Sequence, residues 1–150
     1  MKNRFLIAAM SLCLVGAAQG QAGPNVKEMK PGKYDYQIEV NNPALPFKLP
    51  AMTFSQCVSA KDLDEGRAFQ SQRDAGMDCK YSNVQSSPGR FTFTAVCKMK
   101  GDMGMEADYE GTVSGNTVIM NVRQKMTGGG IPDNMRNSTT KMTMTRQGDC

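Results

Sequence analysis

"RFTFTAVCKMKGDMGMEADYEGTVSGNTVIMNVRQKM", residues 90–126, is the stretch that decides the fold. Phe91, Phe93, Ala95, Cys97 and Met99 alternate with Thr92, Thr94, Val96 and Lys98. Met105, Ala107, Tyr109 and Val113 then alternate with Glu106, Asp108, Glu110 and Thr112. Val118, Met120, Val122 and Met126 take one face of the next segment, and Asn121, Arg123 and Lys125 the other. A period of two is the spacing of a strand with one buried face and one wet face. Gly101-Asp102 marks the first turn. Ser114-Gly115-Asn116-Thr117 marks the second, a two-residue hairpin loop in which glycine can take a positive φ. The stretch is three antiparallel strands.

The same alternation continues outward in both directions. Tyr34, Tyr36, Ile38 and Val40 share a face opposite Asp35, Gln37 and Glu39, and Met142 and Met144 share one near the end. Ser87-Pro88-Gly89 separates a strand at 81–86 from the one beginning at Arg90. "AMTFSQCV" (51–58) is a further short strand, whereas the proline-rich "NNPALPFKLP" (41–50) suits a surface loop. Ser59 is an N-cap candidate followed by acidic residues, which predicts one short helix at about 60–69. "TGGGIPDNMRN" (127–137) is expected to be a flexible loop. The fold class is therefore mainly β: an antiparallel meander of about seven strands with one short helix. Curling into a barrel-like shell or folding into two layers would hide its edges.

The chain begins with Lys2 and Arg4, an apolar run from Phe5 to Val15, and the small-x-small triplet Ala18-Gln19-Gly20. These are the parts of a secretory signal peptide, and the run is too short for a stable membrane anchor. The expected organisation is a signal peptide at 1–20, a flexible N-terminus at 21–30 and a single β-rich domain at 31–150, with no transmembrane segment after cleavage. Loss of Lys2 and Arg4 leaves 16 basic side chains against 14 acidic ones. So even a balance gives no electrostatic case for nucleic acid. Loss of Cys13 leaves Cys57, Cys79, Cys97 and Cys150. An even count in an exported chain implies two disulfides, and the wide spacing is unlike that of zinc ligands. Three pairings are possible.

"PGKYDYQIEV", "SQCVSAKDL", Cys79, "FTAVCKM", "ADYEGTV", "KMTMT" and the closing "RQGDC" together resemble a bacterial exported family, the domain of unknown function DUF3617. Its most specific pieces here are Gln56-Cys57 with Asp62-Leu63, and Arg146-x-Gly148-x-Cys150. Members usually carry Trp-Glu where this chain has Tyr34-Asp35. The resemblance implies export to the periplasm or beyond and a β-rich domain; it brings no activity. With the hairpin register about Ser87-Pro88-Gly89, it implies that Cys79 pairs with Cys97 and Cys57 with Cys150.

For function, the composition excludes much. There is no histidine, so Ser-His, Cys-His and His-metal chemistry are closed, and no catalytic residues are expected. Asp62, Asp64 and Glu65 suit a solvated helix start. Glu106, Asp108 and Glu110 are expected to face Arg123 and Lys125 as cross-strand charge pairs. "TGGGIP" lacks the lysine of a phosphate loop, and the Asn137 sequon has no role in a bacterial host. The expected function is a small exported binding or envelope-accessory protein. Its concave sheet face would hold a small apolar ligand or a segment of an envelope partner, without a cofactor. The alternative is periplasmic copper(I) binding by Met99, Met103 and Met105, because thioethers are soft ligands. Plain core packing is the competing account of those methionines.

Overall fold

In the computed structural model, residues 26–65, 67–69 and 77–150 are described. The signal-peptide assignment at 1–20 and the start of the N-terminal segment, 21–25, lie outside the described residues. Seven strands follow one another: β1 (Gly32–Asn41), β2 (Met52–Val58), β3 (Asp78–Ser87), β4 (Arg90–Lys98), β5 (Gly104–Ser114), β6 (Thr117–Thr127) and β7 (Asn137–Gly148). They form one antiparallel sheet in the order β2-β1-β7-β6-β5-β4-β3. The mainly β meander, the short helix and both disulfides are present; the sheet is not closed.

The direction of the two edge strands has a topological cause. Every pair of strands consecutive in the chain is hydrogen-bonded except β2 and β3, while β7 returns to pair with β1. Around a closed ring of antiparallel neighbours the strand number must be even; with seven, one neighbouring pair has to run parallel. That pair is β2 and β3. Parallel strands cannot be joined by a hairpin, so the link must travel the length of the sheet. Residues 59–77 are that link. It starts with α1 (Ala60–Asp64), whose N-cap Ser59 accepts from the Asp62 N–H at 3.1 Å while the Asp62 carboxylate accepts from the Ser59 N–H at 3.0 Å. The Glu65 N–H then donates to the carbonyls of Lys61 and Leu63, ending the helix after five residues. A 3-10 turn at Arg67–Phe69 follows. The helix expected at 60–69 is thus two short pieces.

The link lies against one face. The Tyr36 hydroxyl on β1 reaches the Ala68 carbonyl at 3.4 Å, and the Phe69 ring sits 5.4 Å from that of Phe91 on β4. β1 and β4 are four strand spacings apart, about 19 Å on a flat sheet. Side chains stand nearly perpendicular to a sheet, so one tripeptide meets both only because the face is concave. That face is the core, and its population is divided. Aromatic pairs occupy the flanks: Tyr36 stacks on Phe54 at 4.6 Å, and Phe93 on Tyr109 at 4.2 Å. Methionines fill the middle, with Met120 and Met144 fully buried and Met105 and Met142 nearly so. Unbranched thioethers adapt to the crowding inside a curve.

The strand ends opposite the β1–β2 loop are sealed. Val26 and Met29 pack into the core, so residues 26–30, assigned from sequence to the N-terminal segment, are seated against the sheet. The Arg146 guanidinium donates to the Pro31 carbonyl at 2.8 Å and pairs with Asp149. A Cβ at Gly32 would stand 2.3 Å from the Gly148 carbonyl oxygen and 2.6 Å from Arg146 Nε, and the Gly32 φ is +151°. Glycine is required there. Cys57–Cys150 closes the same corner with Cα atoms 5.8 Å apart, and Cys79–Cys97 joins directly opposed residues of β3 and β4.

The disulfides carry unequal loads. Cys57–Cys150 spans 93 residues and Cys79–Cys97 only 18. Loop-closure entropy therefore assigns the first about 4–5 kcal/mol and the second about 3. Replacing Cys57 and Cys150 by serine should lower the unfolding free energy more than the same change at Cys79 and Cys97. Urea titration of both double variants checks the order; a reversed order contradicts the assignment.

Candidate functional site

The described pieces of the link, Ala60–Asp64 and Arg67–Phe69, cover only part of the concave face. Toward the β1–β2 loop they leave a cleft of about 310 Å³ between Phe69 and the sheet, walled by Tyr36, Ile38, Phe54 and Met142. Met52, exposed, stands at its rim. Strand parity explains the wall. Ile38 on β1 is flanked by Met52 on β2 and Met142 on β7, and Tyr36 by Phe54 and Met144. Among the described residues, no charged side chain lines the cleft. Two polar residues do, Gln124 and Thr140. Gln124 Nε2 donates to Ser138 Oγ at 2.8 Å across the β6–β7 pair. Its other amide atom, Oε1, makes no hydrogen bond among the described residues.

The outer face differs in chemistry. A depression of about 430 Å³ there is lined by Glu106, Asp108, Arg123 and Lys125. The register sets Glu106 opposite Lys125 and Asp108 opposite Arg123, as expected from the alternation. Yet neither pair closes to 4 Å; Asp108 instead accepts from the Thr94 hydroxyl at 2.9 Å. Solvated charges gain little from contact pairing. β3 adds an irregularity that the alternation did not signal: its register shifts between Ser82 and Gln85, with Asn83 at φ 52°. Asparagine tolerates that conformation, and such a bulge interrupts an exposed edge.

The methionines singled out from the sequence converge at the β4–β5 turn. Met99, Met103 and Met105 line one depression of about 410 Å³, and the Met99 N–H donates to the Met103 carbonyl at 3.0 Å. Met105 is buried opposite Cys97 and Met126. Met103 is held by the glycine loop: a Cβ at Gly129 would lie 2.7 Å from its sulfur, and one at Gly128 would lie 1.9 Å from the Asp102 carbonyl oxygen. Gly128 and Gly129 have φ near +70° and +64°. The loop expected to be flexible is thus seated on the neighbouring turn. Among the described residues, no three His, Cys, Asp or Glu side chains gather as metal ligands.

The cleft residues Phe54, Phe69, Gln124 and Thr140 were not among the candidates drawn from the sequence. One signal did exist for Gln124. It stands on the inward parity of β6, between Val122 and Met126, where every other residue is apolar. A polar side chain on the buried face of a strand needs a partner, and Ser138 on the same parity of β7 supplies one.

Burial, reinforced by neighbouring Tyr34 and by Asp62, holds the Tyr36 phenol well above its ordinary value. The unfolded chain ionises near pH 10, so the folded state retains the Tyr36 proton where the unfolded state has lost it. This contribution to stability is complete below about pH 10 and declines as pH rises further. Tyr36→Phe should flatten the fall in unfolding free energy between about pH 9 and 11, read by urea titration at each pH. An unchanged slope in the variant would place the alkaline sensitivity elsewhere.

Among the described residues no helix is long and apolar enough to cross a membrane. Searches of curated proteins and of solved structures found no match to this chain. The family pattern described as "Protein of unknown function (DUF3617)" matches residues 29–150. That span starts at Met29, the second residue of the N-terminal seal, and ends at Cys150, the last residue of the disulfide. The chain belongs to the DUF3617 family.

Proposed function

We propose that this protein is an exported, non-enzymatic binding protein of the bacterial envelope whose cleft takes a small apolar ligand. One observation carries the reading: the aromatic and aliphatic wall at Tyr36, Ile38, Phe54, Phe69 and Met142 borders about 310 Å³ with no charged side chain among the described residues. That is the low end of small-molecule site volumes, and apolar lining with few polar groups is their usual composition. The absence of histidine from the sequence and the two disulfides support a binding role in an oxidising compartment. Phenylnaphthylamine, a neutral apolar fluorophore, should brighten on binding the native protein. Ile38→Asp, which puts a carboxylate on the wall, should weaken that binding at least tenfold, on the order of 1.4 kcal/mol or more. Circular dichroism of the variant confirms that it is folded. Equal binding by the folded variant contradicts the site, and absence of binding contradicts the function.

A second reading rests on the shared depression of Met99, Met103 and Met105. Three methionines gathered at one turn, Met105 from the buried side, suit copper(I). Titration against a chromophoric copper(I) competitor should then give one site per chain, lost when all three methionines become leucine. Affinity no greater than that of a free methionine peptide removes this reading.

A further inference from the structure

The polar end of the cleft narrows what the ligand is. Gln124 and Thr140 are half-buried and line the same apolar wall. One end of the Gln124 amide is committed to Ser138; the other, and the Thr140 hydroxyl, have no hydrogen-bond partner among the described residues. Polar groups removed from water without partners cost free energy, so an occupant that excludes water must supply a partner or weaken its own binding. Among the described residues, no lysine or arginine lines the cleft to neutralise a carboxylate or phosphate, and no aspartate or glutamate to receive an ammonium. An unpaired charge in an apolar site is far costlier than an unpaired dipole. The apolar body of the ligand meets a wall rich in rings, with Phe54 and Phe69 both half-buried and Phe54 already stacked on Tyr36.

Building on the binding role proposed above, we infer that the cleft selects a neutral, ring-bearing apolar molecule carrying a single hydroxyl. The hydroxyl meets Gln124 and Thr140, and the ring lies against Phe54 and Phe69. A hydroxyl both donates and accepts, so it satisfies the free amide atom and the threonine together. Among the described residues no counter-charge receives a charged amphiphile such as a fatty-acid anion, so these are disfavoured. A neutral hydrogen bond of this kind corresponds to about a 5- to 10-fold preference over the same molecule without its hydroxyl.

Three probes with one ring and one chain separate the terms: 4-hexylphenol, hexylbenzene and 4-hexylbenzoate, each competing with phenylnaphthylamine on the full-length mature protein. Hexylphenol should bind about 5- to 10-fold more tightly than hexylbenzene, and hexylbenzoate should fail to compete. Gln124→Leu should bring hexylphenol to the level of hexylbenzene while leaving hexylbenzene unchanged or slightly improved. Thr140→Val should reduce the same gap, and serves if the Gln124 variant does not fold. Equal affinities for hexylphenol and hexylbenzene, competition by hexylbenzoate, or a gap that survives both substitutions overturns the inference and leaves the apolar binding role standing. Failure of phenylnaphthylamine itself to bind defeats that role, and this inference with it.

Discussion

An odd number of strands in a ring of antiparallel neighbours forces one pair to run parallel, and the rest of this structure follows from where that pair falls. β2 and β3 are the mismatched neighbours, so the chain between them has to return along the sheet instead of turning back in a hairpin. Its described pieces, Ala60–Asp64 and Arg67–Phe69, lie over the concave face. They contribute Leu63, Ala68 and Phe69 to the core, and they touch β1 through Tyr36 and β4 through Phe91. Closing the sheet would not remove the need for this segment, because β2 and β3 would still run parallel. An open sheet without it would have left Tyr36, Phe91 and the central methionines in water, at a cost of roughly 1.5–3 kcal/mol for each large side chain.

Two ends of the curved face are treated differently. At one end, Val26, Met29, the Arg146–Pro31 hydrogen bond, the close approach of Gly32 to Gly148 and the Cys57–Cys150 bridge form a continuous seal. Here the closing Arg146-x-Gly148-x-Cys150 has a structural role. Arginine caps a carbonyl, a glycine carbonyl passes where a side chain at Gly32 would stand, and cysteine locks the terminus. At the other end no comparable seal stands over Ile38, Phe54 and Met142 among the described residues, and the cleft lies there. The most specific pieces of the family resemblance therefore describe how the domain is shut, while the residues at its open side belong to less distinctive segments.

Much of this was legible from the chain, because alternation is a local property. The paired faces of β4, β5 and β6, the turn at Ser114–Thr117 and the inward parity of Met120, Met142 and Met144 follow from period two alone. The Ser59 cap was visible because its partner lies three residues away. What alternation cannot carry is long-range placement. That Phe69 would meet Phe91 depends on the route of the link, which depends on strand count and on β7 closing against β1. The bulge at Asn83 left no mark in an edge strand whose residues are mostly polar on both faces. Gln124 was readable as an inward polar residue, but its position in a cleft depends on Phe69, which lies 55 positions earlier in the chain.

The concavity imposed by the returning link is the claim on which cleft, seal and core all depend. Proton–proton nuclear Overhauser spectroscopy of the isotope-labelled domain tests it directly. The account predicts cross-peaks from the Phe69 ring to Phe91 together with contacts from Ala68 to the Tyr36 ring, tying both halves of the sheet to one tripeptide. Observation of only one set would mean a flat sheet with the link lying to one side, and would contradict the account.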